Sequence, residues 1–212
     1  MSNTTPGLPP YAVPFGPHAN CTLDICPAQY SVYGYQASLP ANVAFLSVYI
    51  IVAMLHAQLG IMTKHWWFRL FMIAGAINAM LGYTARLFMY DNPFDYTAFQ
   101  MQIVCITSGS VYFSAALYFV FAETITYLST DISPFKPQLI YLIYLPCELI
   151  SLCLQAVGAG LATTTSGDTQ KSINIALAGM ILQVSILVTF CFLGGDYLVR
   201  YYWSNLWKRR FT

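Results

Sequence analysis

Charge is what this sequence has least of. Of its 212 residues, nine are Lys or Arg and eight are Asp or Glu, 8% in all, where an ordinary soluble domain carries about a quarter. Hydrophobic residues make up 58% and the mean hydropathy is +0.58, so there are too few charges to coat a water-soluble fold. A net charge of +1 on scattered Lys and Arg leaves no basic patch for nucleic acid. Enzyme signatures are also missing: no Gly-x-Ser-x-Gly, no His-Glu-x-x-His, no paired Asp cluster and no phosphate-cradling Gly loop. No catalytic role is therefore expected, and without an ATP signature any uphill work would need a gradient or a partner. The Cys and His residues fall in no metal-ligand spacing, so neither metal nor cofactor is expected. Finally, the N-terminus lacks the basic-then-apolar pattern of a cleaved leader.

What the chain has is long apolar runs. Crossing about 30 Å of hydrocarbon takes about twenty apolar residues in a helix, and five stretches qualify: Pro40–Met62, Trp66–Met89, Gln100–Phe121, Gln138–Ala162 and Ile173–Gly195. Lipid supplies no water to backbone amides, so only helices or closed barrels span it, and these continuous runs lack the alternation of a barrel strand. The expected fold is all-α, a polytopic transmembrane helix bundle. It divides into an N-terminal tail (1–39), a helical domain (40–195) and a basic, aromatic tail (196–212).

Three signals set the expected orientation. The tail holds two glycosylation sequons, at Asn3 and Asn20. Overlapping the second sequon and preceding the first helix lies Cys21-Thr-Leu-Asp-Ile-Cys26, a candidate disulfide of an oxidising compartment. Loops facing the cytosol are enriched in Lys and Arg. With the N-terminus outside, Lys64, Arg69, Lys136, Arg200, Lys208, Arg209 and Arg210 fall on the cytosolic side, against Arg86 and Lys171 outside. The expectation is N-terminus external and C-terminus cytosolic, with Tyr197 to Arg210 lying along the anionic leaflet or opening a loop.

A few polar groups lie at depth: His56, Gln58, Asn78, Arg86, Glu148, Gln155, Asn174 and Gln183, with Glu123 at the cytosolic end of the third span. Ionisable residues inside a membrane are costly and usually face the bundle interior. Glu148 and Gln155 stand two turns apart and share one face. Glu148 suits either a carboxyl kept protonated by desolvation and donating one hydrogen bond or the wall of a polar cavity. Gln155 suits a hydrogen bond across a helix contact, with Gly158 and Gly160 allowing a close neighbour. Pro146 frees a carbonyl one turn earlier, as at interrupted transporter helices. Gly75, Ala79, Gly82 and Arg86 form a narrow stripe on the second span. Arg86 lies about 30 Å along its helix from Trp66, where it either snorkels to the interface or meets a group of matching depth, for which Gln155 is better placed than Glu148. For His56, which has no acid in its own span, a packed neutral ring outweighs a proton relay.

Several stretches, in order, resemble the fungal RTA-like family of seven-helix lipid-translocating exporters. They are Tyr33-Gly-Tyr35 with Asn42, Phe45 and His56; Gly82-Tyr83-Thr-Ala-Arg86; Gln102 with Ala115-Ala-Leu-Tyr118; Glu148, Gln155, Gly158 and Gly160; and Gly179-Met-Ile-Leu-Gln183. The departures are Ala37 for a Pro, Ala79 for a Glu, Gly109-Ser110 for Ala-Pro, and Glu148 for an Asp. The sequence printed ends where two further helices would follow in the family, which suggests a truncated or shortened member.

The resemblance implies resistance to toxic sterols or release of sphingoid bases. Membrane lipid would be the partner, an amphipathic lipid the substrate, a homo-oligomer one route to a complete pathway, and the plasma membrane the location. The residues expected to line the lipid path are Glu148, Gln155 and Arg86, then Gln183 and His56. A seven-helix-type sensor without transport, and an inactive remnant, are the alternatives.

Overall fold

The computed structural model describes residues 9, 11–13, 16, 19–62, 66–128, 136–164 and 169–210. A short 3-10 turn, Ala28–Tyr30, precedes five helices: α1 Leu39–Met62, α2 Trp66–Asp91, α3 Tyr96–Leu128, α4 Pro137–Thr164 and α5 Thr169–Arg210. No strand occurs among the described residues. All five helices contain stretches long and apolar enough to cross a bilayer, so this is an integral membrane protein.

Three helices depart from the sequence expectation. α3 starts four residues before Gln100 because Asp95 caps it, its Oδ1 accepting from the amides of Thr97 (2.9 Å) and Ala98 (3.2 Å). α4 runs unbroken through Pro146. The proline costs one backbone bond, too little to interrupt a helix whose flanking turns have no water to bond to. α5 continues past Gly194 and Gly195 to Arg210, so the segment from 196 is neither a loop nor a separate element. Its buried stripe of Ser172, Gly179, Ile186, Phe190 and Tyr197 carries the helix beyond the glycines. Arg200 and Asp196, one turn apart and paired at 2.7 Å, extend it further.

The chain forms two compact units, Met1–Leu59 with Ile73–Gly109 and Gly60–Met72 with Ser110–Thr212. In the first, the tail is folded. Cys21 and Cys26 are joined in a disulfide and buried with Phe94 against Ala12 and Tyr30. Asn20 is exposed and closes a loop, its Oδ1 accepting from the Val13 amide (2.7 Å) and its Nδ2 donating to the Tyr11 carbonyl (2.9 Å). Asn3 lies outside the described residues.

The second unit holds the second part of α3 together with α4 and α5. Tyr118, Ile125, Ile140, Phe190 and Tyr197 form its aromatic core, with Phe121, Tyr141 and Tyr144 packed against them. Two glycines set how closely α4 and α5 approach. A Cβ on Gly158 would come within 2.4 Å of the Ala176 amide nitrogen, and one on Gly179 within 2.8 Å of the Ser151 carbonyl oxygen. Both obstacles are backbone and cannot swing aside. Small residues are the usual means of bringing helices together where lipid competes with apolar side chains.

Gly158→Val and Gly179→Val should each destabilise the folded chain by about 1–3 kcal/mol through overpacking. Gly160→Ala is the control, since a Cβ there meets nothing within 4 Å. Thermal unfolding of the purified chain, followed by circular dichroism, should show lower midpoints for the two valine variants and an unchanged one for the control.

Candidate functional site: a buried polar face on α4

Residues 141, 144, 148, 151, 155 and 158 of α4 recur at alternating intervals of three and four, so they share one face. On the opposite side Leu142, Ile143, Leu149, Ile150 and Val157 are each more than half exposed or close to it, as lipid-facing residues should be. The inner face is polar at its centre. Glu148 and Ser151 are fully buried and Gln155 is 7% exposed.

Two α3 side chains, Tyr118 and Ser114, reach the Glu148 carboxyl. The Tyr118 hydroxyl donates to Oε1 at 2.7 Å. The Tyr118 ring lies 5.3 Å from that of Tyr144 and meets Phe190 edge-on at 4.7 Å. The backbone carbonyl of Glu148 accepts from Ser151 Oγ at 2.7 Å. The second carboxyl oxygen, Oε2, is buried and has no hydrogen-bond partner among the described residues.

Seven residues further on, about 10 Å along the axis, a second polar group crosses between helices. Gln155 Nε2 donates to Gln183 Oε1 at 2.7 Å, and Gln183 Nε2 donates to Ser110 Oγ at 2.7 Å, tying α4, α5 and α3 in one relay. Gly179 makes room for it, because a Cβ there would stand 2.8 Å from Gln155 Cγ. Gln155 Oε1, like Glu148 Oε2, is buried without a partner among the described residues. One face of one helix thus presents two buried oxygens, Glu148 Oε2 and Gln155 Oε1, with no hydrogen-bond partner in direct geometry among the described residues. Such groups cost several kcal/mol each unless something donates to them.

Of the five residues expected to line a lipid path, Gln155 and Gln183 touch and Glu148 shares their face. Arg86 belongs to the other unit. Its guanidinium lies 5.5 Å from the centre of the Tyr33 ring, and Nη2 donates to the Tyr35 hydroxyl at 3.4 Å. Tyr33 in turn accepts from Gln102 Nε2 at 2.8 Å. Depth along the helices points to Gln155 as the partner of Arg86. The structure instead engages Arg86 with the tail and Gln155 with Gln183, since depth fixes neither helix rotation nor the fold of the tail. His56 is half-buried on α1.

Polarity counts in the sequence overlook three residues. Tyr118 escapes notice because a tyrosine in an apolar span scores as an aromatic. Ser110 stands out only as a departure from Ala-Pro. Arg69, grouped with the cytosolic cations, is buried and donates to the Gly60 carbonyl at 2.7 Å.

Five helices long and apolar enough to span a bilayer define a polytopic membrane protein, and one of its compact units carries a buried polar face on α4. The signature of the family described as RTA1 like protein matches residues 72–212, and the chain belongs to that family. The chain is 27% identical over 183 residues to the sphingoid long-chain base transporter RSB1 of Saccharomyces cerevisiae (strain Lalvin EC1118), covering 84% of this chain and 48% of that protein. It is 25% identical over 117 residues to Protein RTM1 of Saccharomyces cerevisiae, covering 55% of this chain and 38% of that protein. The chain therefore spans less than half the length of each of these curated relatives. No solved structure matches it.

Tyr118→Phe removes the donor to Glu148 and leaves the ring in place, so it should cost about 1–2 kcal/mol of stability. In a Glu148→Leu background the same change should cost close to nothing. A double-mutant cycle on unfolding midpoints measures the difference; equal costs in both backgrounds would show that the hydroxyl does not act through Glu148.

Proposed function

We propose that this chain moves a single-chain amphipathic lipid with a donor-rich head group, of the sphingoid-base kind, along the buried face of α4. The observation that carries the reading is a pair of buried oxygens with no hydrogen-bond partner among the described residues, Glu148 Oε2 and Gln155 Oε1, on residues about 10 Å apart along the axis of one helix. An ammonium and neighbouring hydroxyls would leave several donors unsatisfied in bare hydrocarbon. Two acceptors in sequence offer such a head group successive partners. The likeness to a protein named as a sphingoid long-chain base transporter supports the same lipid class.

In this reading Gln183 and Ser110 orient the Gln155 amide, Tyr118 holds the carboxyl in its rotamer, and the outward Leu and Ile side chains of α4 face the lipid tails. No chemical step on the lipid is involved. The N-terminal tail lies outside and the C-terminus in the cytosol, in the plasma membrane, and a second copy of the chain is a candidate partner for completing the path.

At matched surface level, Glu148→Ala should lower efflux of a labelled sphingoid base several-fold and sensitise cells to it, and Gln155→Leu should do so to a smaller degree. Unchanged efflux in both would defeat the reading. Orientation has its own test: Asn3→Gln combined with Asn20→Gln should abolish a glycosidase-sensitive mobility shift, and a tail that carries no glycan while remaining protected from external protease would reverse the assignment.

A further inference from the structure

The second sequon of the tail, Asn20-Cys21-Thr22, shares a residue with the Cys21–Cys26 bridge. The folded tail uses all three of its residues. Asn20 pairs twice with Val13, its Oδ1 accepting from the Val13 amide at 2.7 Å and its own amide donating to the Val13 carbonyl at 3.2 Å. Its Nδ2, the atom that would carry a sugar, donates to the Tyr11 carbonyl at 2.9 Å. Cys21 is 3% exposed, bonded to Cys26 and packed with Phe94. The Thr22 carbonyl accepts from the amides of Ile25 at 3.1 Å and Cys26 at 2.9 Å, forming the turn that the bridge closes.

Glycosyl transfer needs what this fold has already engaged. In the transfer, Nδ2 attacks C1 of a lipid-linked sugar. The Nδ2–C1 bond forms, the bond from C1 to the pyrophosphate oxygen breaks, the lipid pyrophosphate leaves, and Nδ2 gives up one proton to a base of the transferase. The carboxamide must therefore enter another protein's active site, with the hydroxyl residue two places on presented beside it. Asn20 is exposed, so burial is not what holds it back. Its carboxamide is fastened at both ends, and the backbone that follows it is locked in a closed loop. A disulfide removes most of the open conformations such a segment could visit. With both cysteines as thiols, nothing covalent keeps the sequon in that shape.

We propose that Asn20 accepts a glycan only while Cys21 and Cys26 are thiols, so that oxidation of the pair ends the modification. In that oxidation the two thiols give up two protons and two electrons to the disulfide of an oxidoreductase in the same compartment. That disulfide becomes a dithiol, and the bond between the two Sγ atoms forms. The order of the two reactions decides the state of the tail: transfer first puts a glycan on Asn20, and closure first leaves it bare. The inference rests on the external placement of the tail given above and is independent of the lipid.

The first sequon supplies the control. In the full chain expressed in yeast cells, Asn3→Gln leaves Asn20 as the acceptor and Asn20→Gln leaves Asn3. The glycosylated fraction is read from the glycosidase-sensitive mobility shift. Cys26→Ser prevents the bridge and keeps Asn20-Cys21-Thr22 intact. The expected result is a glycan on a minority of Asn3→Gln chains, a rise of about two-fold or more when Cys26→Ser is added, and no change at Asn3 when Cys26→Ser is added to Asn20→Gln. A pulse of dithiothreitol during synthesis should raise Asn20 occupancy to the same level with both cysteines in place, which keeps the test decisive if the serine variant is unstable.

Equal occupancy of Asn20 with and without Cys26, while Asn3 carries its glycan, would overturn the proposal and leave the external tail standing. An equal rise at Asn3 would overturn it as well, as a general slowing of folding. A tail bare at both sequons in every chain would defeat the external placement, and this inference with it.

Discussion

A bilayer offers no partner to a polar atom, so every polar group carried into it must be met from within the chain. Here that demand falls on the line where α4 and α5 touch. Because Gly158 and Gly179 have no side chains, the helices approach until Ala176 and the Ser151 carbonyl leave no space for a Cβ. At that separation Gln155 reaches Gln183, and Gln183 reaches Ser110. The same face keeps Glu148 fully out of solvent beside Tyr118. Widen the contact and the relay breaks; the carboxyl would then sit in a loosened core. Most polar atoms on the face are paired, and two buried oxygens, Glu148 Oε2 and Gln155 Oε1, have no hydrogen-bond partner among the described residues.

Much of this was legible in the sequence, for identifiable reasons. Long apolar runs announce spanning helices whatever packs against them, so all five spans could be read and most of their limits fell close to the observed ones. Glu148 and Gln155 stood out because two polar residues in an apolar run, two turns apart, have to share a face. Gly158 pointed to close packing and is found in it, whereas a Cβ on Gly160, read the same way, would meet nothing within 4 Å, because it lies on the next face of the helix. Other features depend on tertiary geometry that no local pattern encodes. Which tyrosine donates to Glu148 depends on the rotation of α3 against α4. Pro146 reads as a break, yet the surrounding turns hold the helix together. An open cleft combines residues from α2, α3 and α4 separated by more than seventy positions in sequence, from Trp66 to Tyr141.

The departures from the family pattern take on physical meaning in the structure. Where a carboxylate would accompany Arg86, the chain has Ala79, which is buried and close to Gly109. The guanidinium is met by the Tyr33 ring and the Tyr35 hydroxyl, an exchange of an ion pair for cation–π and hydroxyl contacts. Where the pattern has proline, Ser110 supplies the oxygen that accepts from Gln183, an acceptor that a proline side chain lacks. In both places the substitution is matched by a partner within the same compact unit. A tail stapled by Cys21 and Cys26, with Tyr33 and Tyr35 following it, supplies the partners for Arg86.

The central claim is that the polar face of α4 is a surface a lipid head group occupies. It is tested most directly by a photoactivatable sphingoid base, crosslinked to the chain in bilayers and located by mass spectrometry. The account predicts adducts concentrated on peptides carrying Tyr141 to Gln155 and Gly179 to Gln183, displaced by excess unlabelled base and reduced in Glu148→Ala. Adducts spread over the lipid-facing residues of all five helices in proportion to their exposure, and indifferent to competitor, would contradict it.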